Sequence, residues 1–256
     1  MRELKSLVAG VFDSGVGGLS VVKSLLESGL FSEIIYYGDT ARVPYGVKDK
    51  NTIIRYSLEA LEFFKNFDID IMITACNSVS AYAIDELQKN SNFPVTGVIN
   101  PGVLAVKNRL KDKDSNILIL GTKATIKSKR YEKLLKKSGF KNISSIAPSL
   151  FVPVVEEGLF SGEVLDSVLR HYFKDVKDNP DAIILGCTHF PLISEAIGNY
   201  FPTSTLIHSG DAVVEYLQNE YNLNQKYDDC KIKFFASENP DGLKKVAYEW
   251  LNLEKI

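Results

Sequence analysis

Cysteine is scarce in this chain: 256 residues hold three, Cys76, Cys187 and Cys230. Three thiols cannot build the disulfide framework of a secreted scaffold, so a reducing cytoplasm is the expected compartment. Net charge is nearly missing as well. Thirty Lys and Arg stand against 32 Asp and Glu, a formal balance of −2, which draws in neither nucleic acid nor an anionic membrane surface. No apolar run approaches the roughly 20 residues that a membrane span needs. The first residues, Met1 to Lys5, lack the apolar region of a secretion signal. A zinc site made from Cys76, Cys187 and His189 is conceivable, but no C-x-x-C or H-x-x-x-H spacing supports it, and no metal is expected. Low-complexity segments and long linkers are also lacking.

What is present reads as an ordinary globular chain, 45% hydrophobic and 24% charged. Its length suits one large domain or two of about 100–150 residues. Apolar strand candidates lie near residues 7–12, 33–37, 69–74, 94–99, 116–120, 143–147, 181–185, 204–207 and 231–236. Segments of helical periodicity separate most of them, among them Thr52–Phe64, Ala124–Lys137 and Asp211–Glu220. Such alternation predicts an α/β fold with mainly parallel sheets covered on both faces. In these sheets ligands bind beyond the carboxyl ends of the strands.

Two of the three cysteines fall at such ends. In "MITACNSVSA" and in "IILGCTHFPL" an apolar run stops at a thiol, and small polar residues and a helix start follow. A second echo joins "AGVFDSGVGGLSVVKSLL" to "NILILGTKATIKSKRYEKLL", each a strand, a Gly/Thr/Ser loop and a helix. Two similar halves facing one another would present one thiol from each side of a cleft.

The polar loops admit more than one reading. "VFDSGVGGLS" partly fits the dinucleotide fingerprint through Gly15 and Gly17, but Ser20 takes the third glycine's place, and Asp39 is the one possible acidic partner. The simpler reading is a strand-to-helix turn whose glycines allow a close approach, with free amides that favour an anion. Asp13 at its start is a helix cap or a functional acid. "YYGDTARVPYG" is a surface excursion or the wall of a binding site. His189, two residues after Cys187, is a core histidine or a group that shares a proton with the thiol. Cys230, in "KYDDCKIK", reads as structural, and the basic stretch "KATIKSKRYEKLLKK" as a solvated face.

Four segments, "GVFDSGVGGLSV", "YYGDTARVPYG", "TACNS" and "LGCTHFPL", together resemble the glutamate racemases, in order and spacing along essentially the whole chain. "GTKAT" and "SLFVPVVEEG" are similar to loops of that family. The resemblance implies two α/β domains with the active site in the cleft between them, the first built from residues 1–98 and 210–256 and the second from 99–209. It implies a homodimer that interconverts L- and D-glutamate without a cofactor, for peptidoglycan synthesis. By the same similarity Cys76 takes the proton from D-glutamate and Cys187 from L-glutamate. Asp13 assists Cys76; Glu156 (or its neighbour Glu157) and His189 assist Cys187. The implied substrate contacts are Asp13, Ser14, Tyr45, Gly46, Asn77, Ser78, Thr122, Thr188 and His189. One departure is Asn77-Ser78 where the family has Asn-Thr, followed by Val79 rather than a smaller residue.

The chemistry of racemisation suits these residues. A proton leaves one face of a carbon and another arrives on the opposite face, so two acid/base groups must flank it. Cysteine serves if its pKa is drawn from about 8.5 toward neutrality by a helix N-terminus or hydrogen-bonding neighbours. An aspartate racemase of the same family, or a carboxylate-binding protein without catalysis, would keep much of this pattern.

Overall fold

The computed structural model describes residues 6–252; the Met1–Lys5 stretch lies outside the described residues. Nine strands appear where nine were expected: β1 (Val8–Asp13), β2 (Glu33–Gly38), β3 (Ile71–Thr74), β4 (Val95–Gly97), β5 (Asn116–Gly121), β6 (Asn142–Ile146), β7 (Ala182–Gly186), β8 (Thr205–Ile207) and β9 (Lys231–Ala236). The helices of the first part of the chain are α1 (Leu19–Ser28), α2 (Lys50–Phe64), α3 (Asn77–Tyr82), α4 (Ile84–Asn90) and α5 (Ile99–Arg109). Those that follow are α6 (Lys123–Ser128), α7 (Arg130–Lys137), α8 (Phe151–Glu156), α9 (Glu163–Phe173), α10 (Ser194–Tyr200), α11 (Ser209–Glu220) and α12 (Pro240–Leu251).

The strands form two sheets, ordered β4-β3-β1-β2-β9 and β6-β5-β7-β8, and every pairing is parallel. The order β2-β1-β3-β4 repeats as β6-β5-β7-β8, so the sequence echo is a repeated topology with β9 added at one edge. Both ends of the chain supply the first sheet and the middle supplies the second. Interior strands are short continuous apolar runs, IMIT in β3 and AIILG in β7, buried throughout, as burial on both faces requires. The edge strands β6 and β9 carry Asn, Ser and Lys instead, side chains that tolerate solvent and discourage edge pairing. Helix α2 begins two residues before its periodicity suggests, because the Asp49 carboxylate accepts the amides of Asn51 and Thr52. Helix α11 packs against both α1 and α5, joining the layers that cover the two sheets.

The strand registers decide what the site contains. Phe12 is level with Thr74 in the first sheet, and Gly121 is level with Gly186 in the second. The residues that follow, Asp13-Ser14 beside Cys76 and Thr122 beside Cys187, therefore leave the sheets side by side.

One expected helix is two. The stretch Ala124–Lys137 breaks at Lys129, whose φ of 55° is left-handed. Ser128 causes the break locally: its hydroxyl donates to Thr125 O at 2.6 Å and accepts Arg130 N at 3.1 Å, offering the backbone an alternative to the helical ladder. The turn sends Tyr131 and Leu135 into the core. The flanking cations stay outside, where Arg130 forms a two-pronged pair with Asp85.

A left-handed residue with a Cβ costs about 1–2 kcal/mol. Lys129→Gly is therefore expected to hold or raise stability in urea unfolding, whereas the β-branched Lys129→Val lowers it by about 1–2 kcal/mol. Equal stability of the two variants would contradict the assigned strain.

Candidate active site

The carboxyl ends of β1, β3, β5 and β7 converge on a cavity of about 210 Å³. The first sheet contributes Ser14, Cys76, Asn77 and Ser78; the second contributes Thr122, Cys187, Thr188 and His189. Tyr45 and Gly46 come from the loop after β2, and Glu156 from the end of α8. These are eleven of the twelve residues singled out in the sequence. Asp13 is the exception. It is fully buried and does not line the cavity.

Asp13 is not the cap of α1 either, since Gly18 holds that position. Its Oδ2 accepts Gly15 N at 3.0 Å, while Oδ1 has no hydrogen-bond partner among the described residues. Burial raises its pKa, against the opposing pull of His189 and of the loop amides. Tyr36 steadies the same loop by donating to Gly15 O at 2.7 Å. The close approach that the glycines allow is made by the protein itself. A Cβ on Gly17 would collide with Thr188 Oγ1 and His189 Nδ1, so the other sheet occupies the space a diphosphate would need.

Cys76 takes the N-cap position of α3, and its thiol donates to Ser14 Oγ at 3.6 Å. The expected fall in its pKa is not what the surroundings produce. Burial first, then the negative charge of Asp13, push the thiol up to about 12, and the Val79 amide and Ser14 do not offset them. Desolvation of a thiolate outweighs one helix end of six residues. Cys76 is thus a protonated thiol at neutral pH.

Cys187 has a different setting. Its sulfur lies 3.8 Å from His189 Nδ1, and His189 Nε2 lies 3.2 Å from Glu156 Oε1. The second contact is an ion pair rather than an aligned hydrogen bond, because Nε2 has no well-directed acceptor among the described residues. Burial opposes the imidazolium, but Cys187, Glu156 and Asp13 together outweigh it and raise His189 to about 10. Glu156 lines the cavity and Glu157 does not.

Hydroxyls and amides complete the walls. Ser78 Oγ and Thr122 Oγ1 meet at 2.9 Å across the two sheets, and Thr122 caps α6 by accepting Thr125 N at 3.2 Å. Asn77 Oδ1 accepts the Tyr131 hydroxyl at 2.8 Å, and its Nδ2 is buried with no partner among the described residues. The loop 36–46 is a wall: Tyr45 is buried, donates its hydroxyl to Asp39 and packs on Phe12 and Tyr56. Arg42 Nε holds the same Asp39 oxygen at 2.7 Å. Sequence reading missed Lys123, Val152, Pro153 and Phe190 on the lining, and Tyr131 behind it, which a lysine-rich stretch concealed.

The family model described as Asp/Glu/hydantoin racemase matches residues 20–217. A glutamate racemase of a Nitratiruptor species is 65% identical over 244 residues, 95% of this chain and 96% of that protein. The crystal structure of glutamate racemase from Campylobacter jejuni subsp. jejuni superposes with a TM-score of 0.95 at 55% identity, over 98% of this chain and 100% of that one. The enzyme from Francisella tularensis, solved in complex with D-glutamate, gives a TM-score of 0.86 at 34% identity, over 99% and 96% of the two chains.

The His189 environment has a stability signature. A histidine raised from about 6.5 to about 10 stabilises the fold fully below pH 6.5, and the contribution is lost as pH rises to about 10. The stability difference between the wild type and Glu156→Gln in urea is expected to shrink steadily across that window. A difference that is flat with pH, or grows, would contradict a charged His189 held by Glu156.

Proposed function

The chain belongs to the Asp/Glu/hydantoin racemase family, and from that premise we propose that its cleft interconverts L- and D-glutamate by a two-cysteine mechanism without a cofactor. As a member it is an isomerase acting on amino acids. The observation that carries the mechanism is the placement of Cys76 and Cys187 at matching strand ends of two sheets, facing one cavity. Glutamate is favoured because the similar proteins bear that name and the Francisella protein was solved with D-glutamate.

In the L-to-D direction the Cys187 sulfur takes the α-proton, and the C–H electron pair stays on the carbon as a carbanion. The His189 cation beside that sulfur, backed by Glu156, offsets the charge. The Cys76 thiol then gives its proton to the opposite face. Its raised pKa matches that role, because the acid must hold a proton until the carbanion forms. Asp13 acts from behind, through its charge on Cys76. In the D-to-L direction the roles exchange: the Cys76 thiolate left by that donation takes the α-proton, and the Cys187 thiol, which holds the proton it removed, gives one to the opposite face. Asn77, Ser78, Thr122 and Thr188 supply donors for the substrate carboxylates and for the charge that develops on the α-carboxylate. Ser14, Tyr45 and Gly46 close the remaining wall. Ser78 keeps the hydroxyl that the family's threonine provides, and that hydroxyl already bonds Thr122.

The same reading divides the chain into residues 1–98 with 210–256 and residues 99–209, a division supported by the strand membership of the two sheets. It makes the protein a cytoplasmic homodimer whose product serves peptidoglycan synthesis. That much rests on the family resemblance.

Polarimetry of the purified chain with L- and D-glutamate, and with aspartate for comparison, tests the proposal. Glutamate is expected to be racemised and aspartate to be poor. Cys76→Ser and Cys187→Ser should each lose racemisation on the order of 10²–10⁴-fold. With a β-substituted glutamate that eliminates after one deprotonation, Cys187→Ser should still process the D-isomer and Cys76→Ser the L-isomer. Cys230→Ala should behave as wild type. Near-normal racemisation by both serine variants, or the same isomer processed by both, would refute the two-thiol assignment.

A further inference from the structure

We propose that Tyr131 is a positioning residue for the racemisation: its hydroxyl fixes the Asn77 amide so that the NH₂ group faces the cavity and holds a carboxylate oxygen of the substrate. The inference rests on the function proposed above. Tyr131 lies on α7 and Asn77 on α3, so the 2.8 Å bond between them ties the helix that follows Cys76 to the layer that covers the second sheet. The bond is buried. Burial raises the tyrosine's pKa, which keeps it a neutral donor throughout the working pH range. A neutral phenol that donates to Oδ1 fixes which edge of the planar amide is oxygen and leaves Nδ2 on the opposite edge. There Nδ2 is buried, unpartnered among the described residues, and belongs to a residue that lines the cavity. An orphaned donor at such a place costs free energy until an acceptor arrives, and a carboxylate oxygen is the acceptor this cavity would receive.

The ring is held as firmly as the hydroxyl. Tyr131 is 2% exposed. A Cβ on Gly102 would stand 3.2 Å from its Cε1, and one on Gly186 would stand 3.4 Å from its Cε2. Two glycines thus form a slot for the ring, and Gly186 is the residue immediately before Cys187. One buried side chain therefore bonds the residue after one thiol and borders the space that a side chain on the residue before the other would fill. The left-handed turn at Lys129 is what directs it there.

Tyr131→Phe keeps the ring in its slot and removes the donor. With the full chain and glutamate, kcat/KM is expected to fall about tenfold, with kcat falling more than KM rises and the melting temperature falling by only about 2–4 °C. Because the hydroxyl acts through Asn77, the double variant Tyr131→Phe/Asn77→Ala should lose no more than Asn77→Ala alone. Asn77→Asp still accepts from Tyr131 but offers the cavity no N–H, so it should be as impaired as Asn77→Ala. A fully active Tyr131→Phe, additive losses in the double variant, or an active Asn77→Asp would each overturn the proposal. If Tyr131→Phe fails to fold, the comparison of Asn77→Asp with Asn77→Ala decides it. A wild-type chain that leaves glutamate unchanged counts against the proposed function instead, and calorimetric binding of D-glutamate then reads the same variants. Absence of binding as well would overturn both.

Discussion

The contact between the glycine loop after β1 and the Thr188-His189 pair after β7 is the one on which the site depends. Gly17 has no side chain to hold the two sheets apart, so Thr188 and His189 lie against the loop backbone. Ser20 adds a hydrogen bond to Thr188 O at 2.8 Å. The carboxyl ends of β1 and β7 are thereby brought to one place, with their neighbours β3 and β5 carried along by the parallel registers. Two more polar links cross the same seam, Ser78 to Thr122 and Tyr131 to Asn77. Each is worth about 1 kcal/mol in stability, and each involves a residue that lines the cavity.

That close fit makes the two thiols electrostatically unlike, although they arise from a repeated topology. Cys76 has an acid behind it, and both burial and that charge keep its proton on. Cys187 has a cationic imidazole beside it, held by Glu156 and by the Asp13 charge across the seam. Asp13 thus acts on both sides from a position outside the cavity: it disfavours a thiolate at Cys76 and favours a cation next to Cys187. A protonated thiol on one side and a cation on the other is a division of charge that acid/base chemistry on one carbon can use.

Most of this was legible in the sequence. Nine apolar runs became nine strands, because the interior strands of parallel sheets are buried on both faces and show up as continuous hydrophobic stretches. The two Cys-bearing segments stood at strand ends because thiols between an apolar run and small polar residues mark that junction. Three things were not legible. The break at Lys129 was hidden because Ala124 before the turn and Tyr131 and Leu135 after it keep helical spacing across it, and the turn is made by Ser128, a residue common in helices and loops alike. The retreat of Asp13 from the cavity depends on how deeply the second sheet presses on the glycine loop, a tertiary fact with no local signal. The upward shift at Cys76 has the same origin, since a helix N-terminus is visible in a pattern whereas desolvation is not.

The central claim, one thiol on each face of the α-carbon, is tested most directly by racemising L-glutamate in deuterium oxide and measuring isotope at the α-position early in the reaction. Both thiols exchange with solvent, so the proton removed from one face is not the one delivered to the other. The account predicts that D-glutamate forms with one solvent deuterium while recovered L-glutamate remains largely protiated. Equal deuterium in both isomers, or product that keeps the substrate's own hydrogen, would show a single base serving both faces and would contradict it.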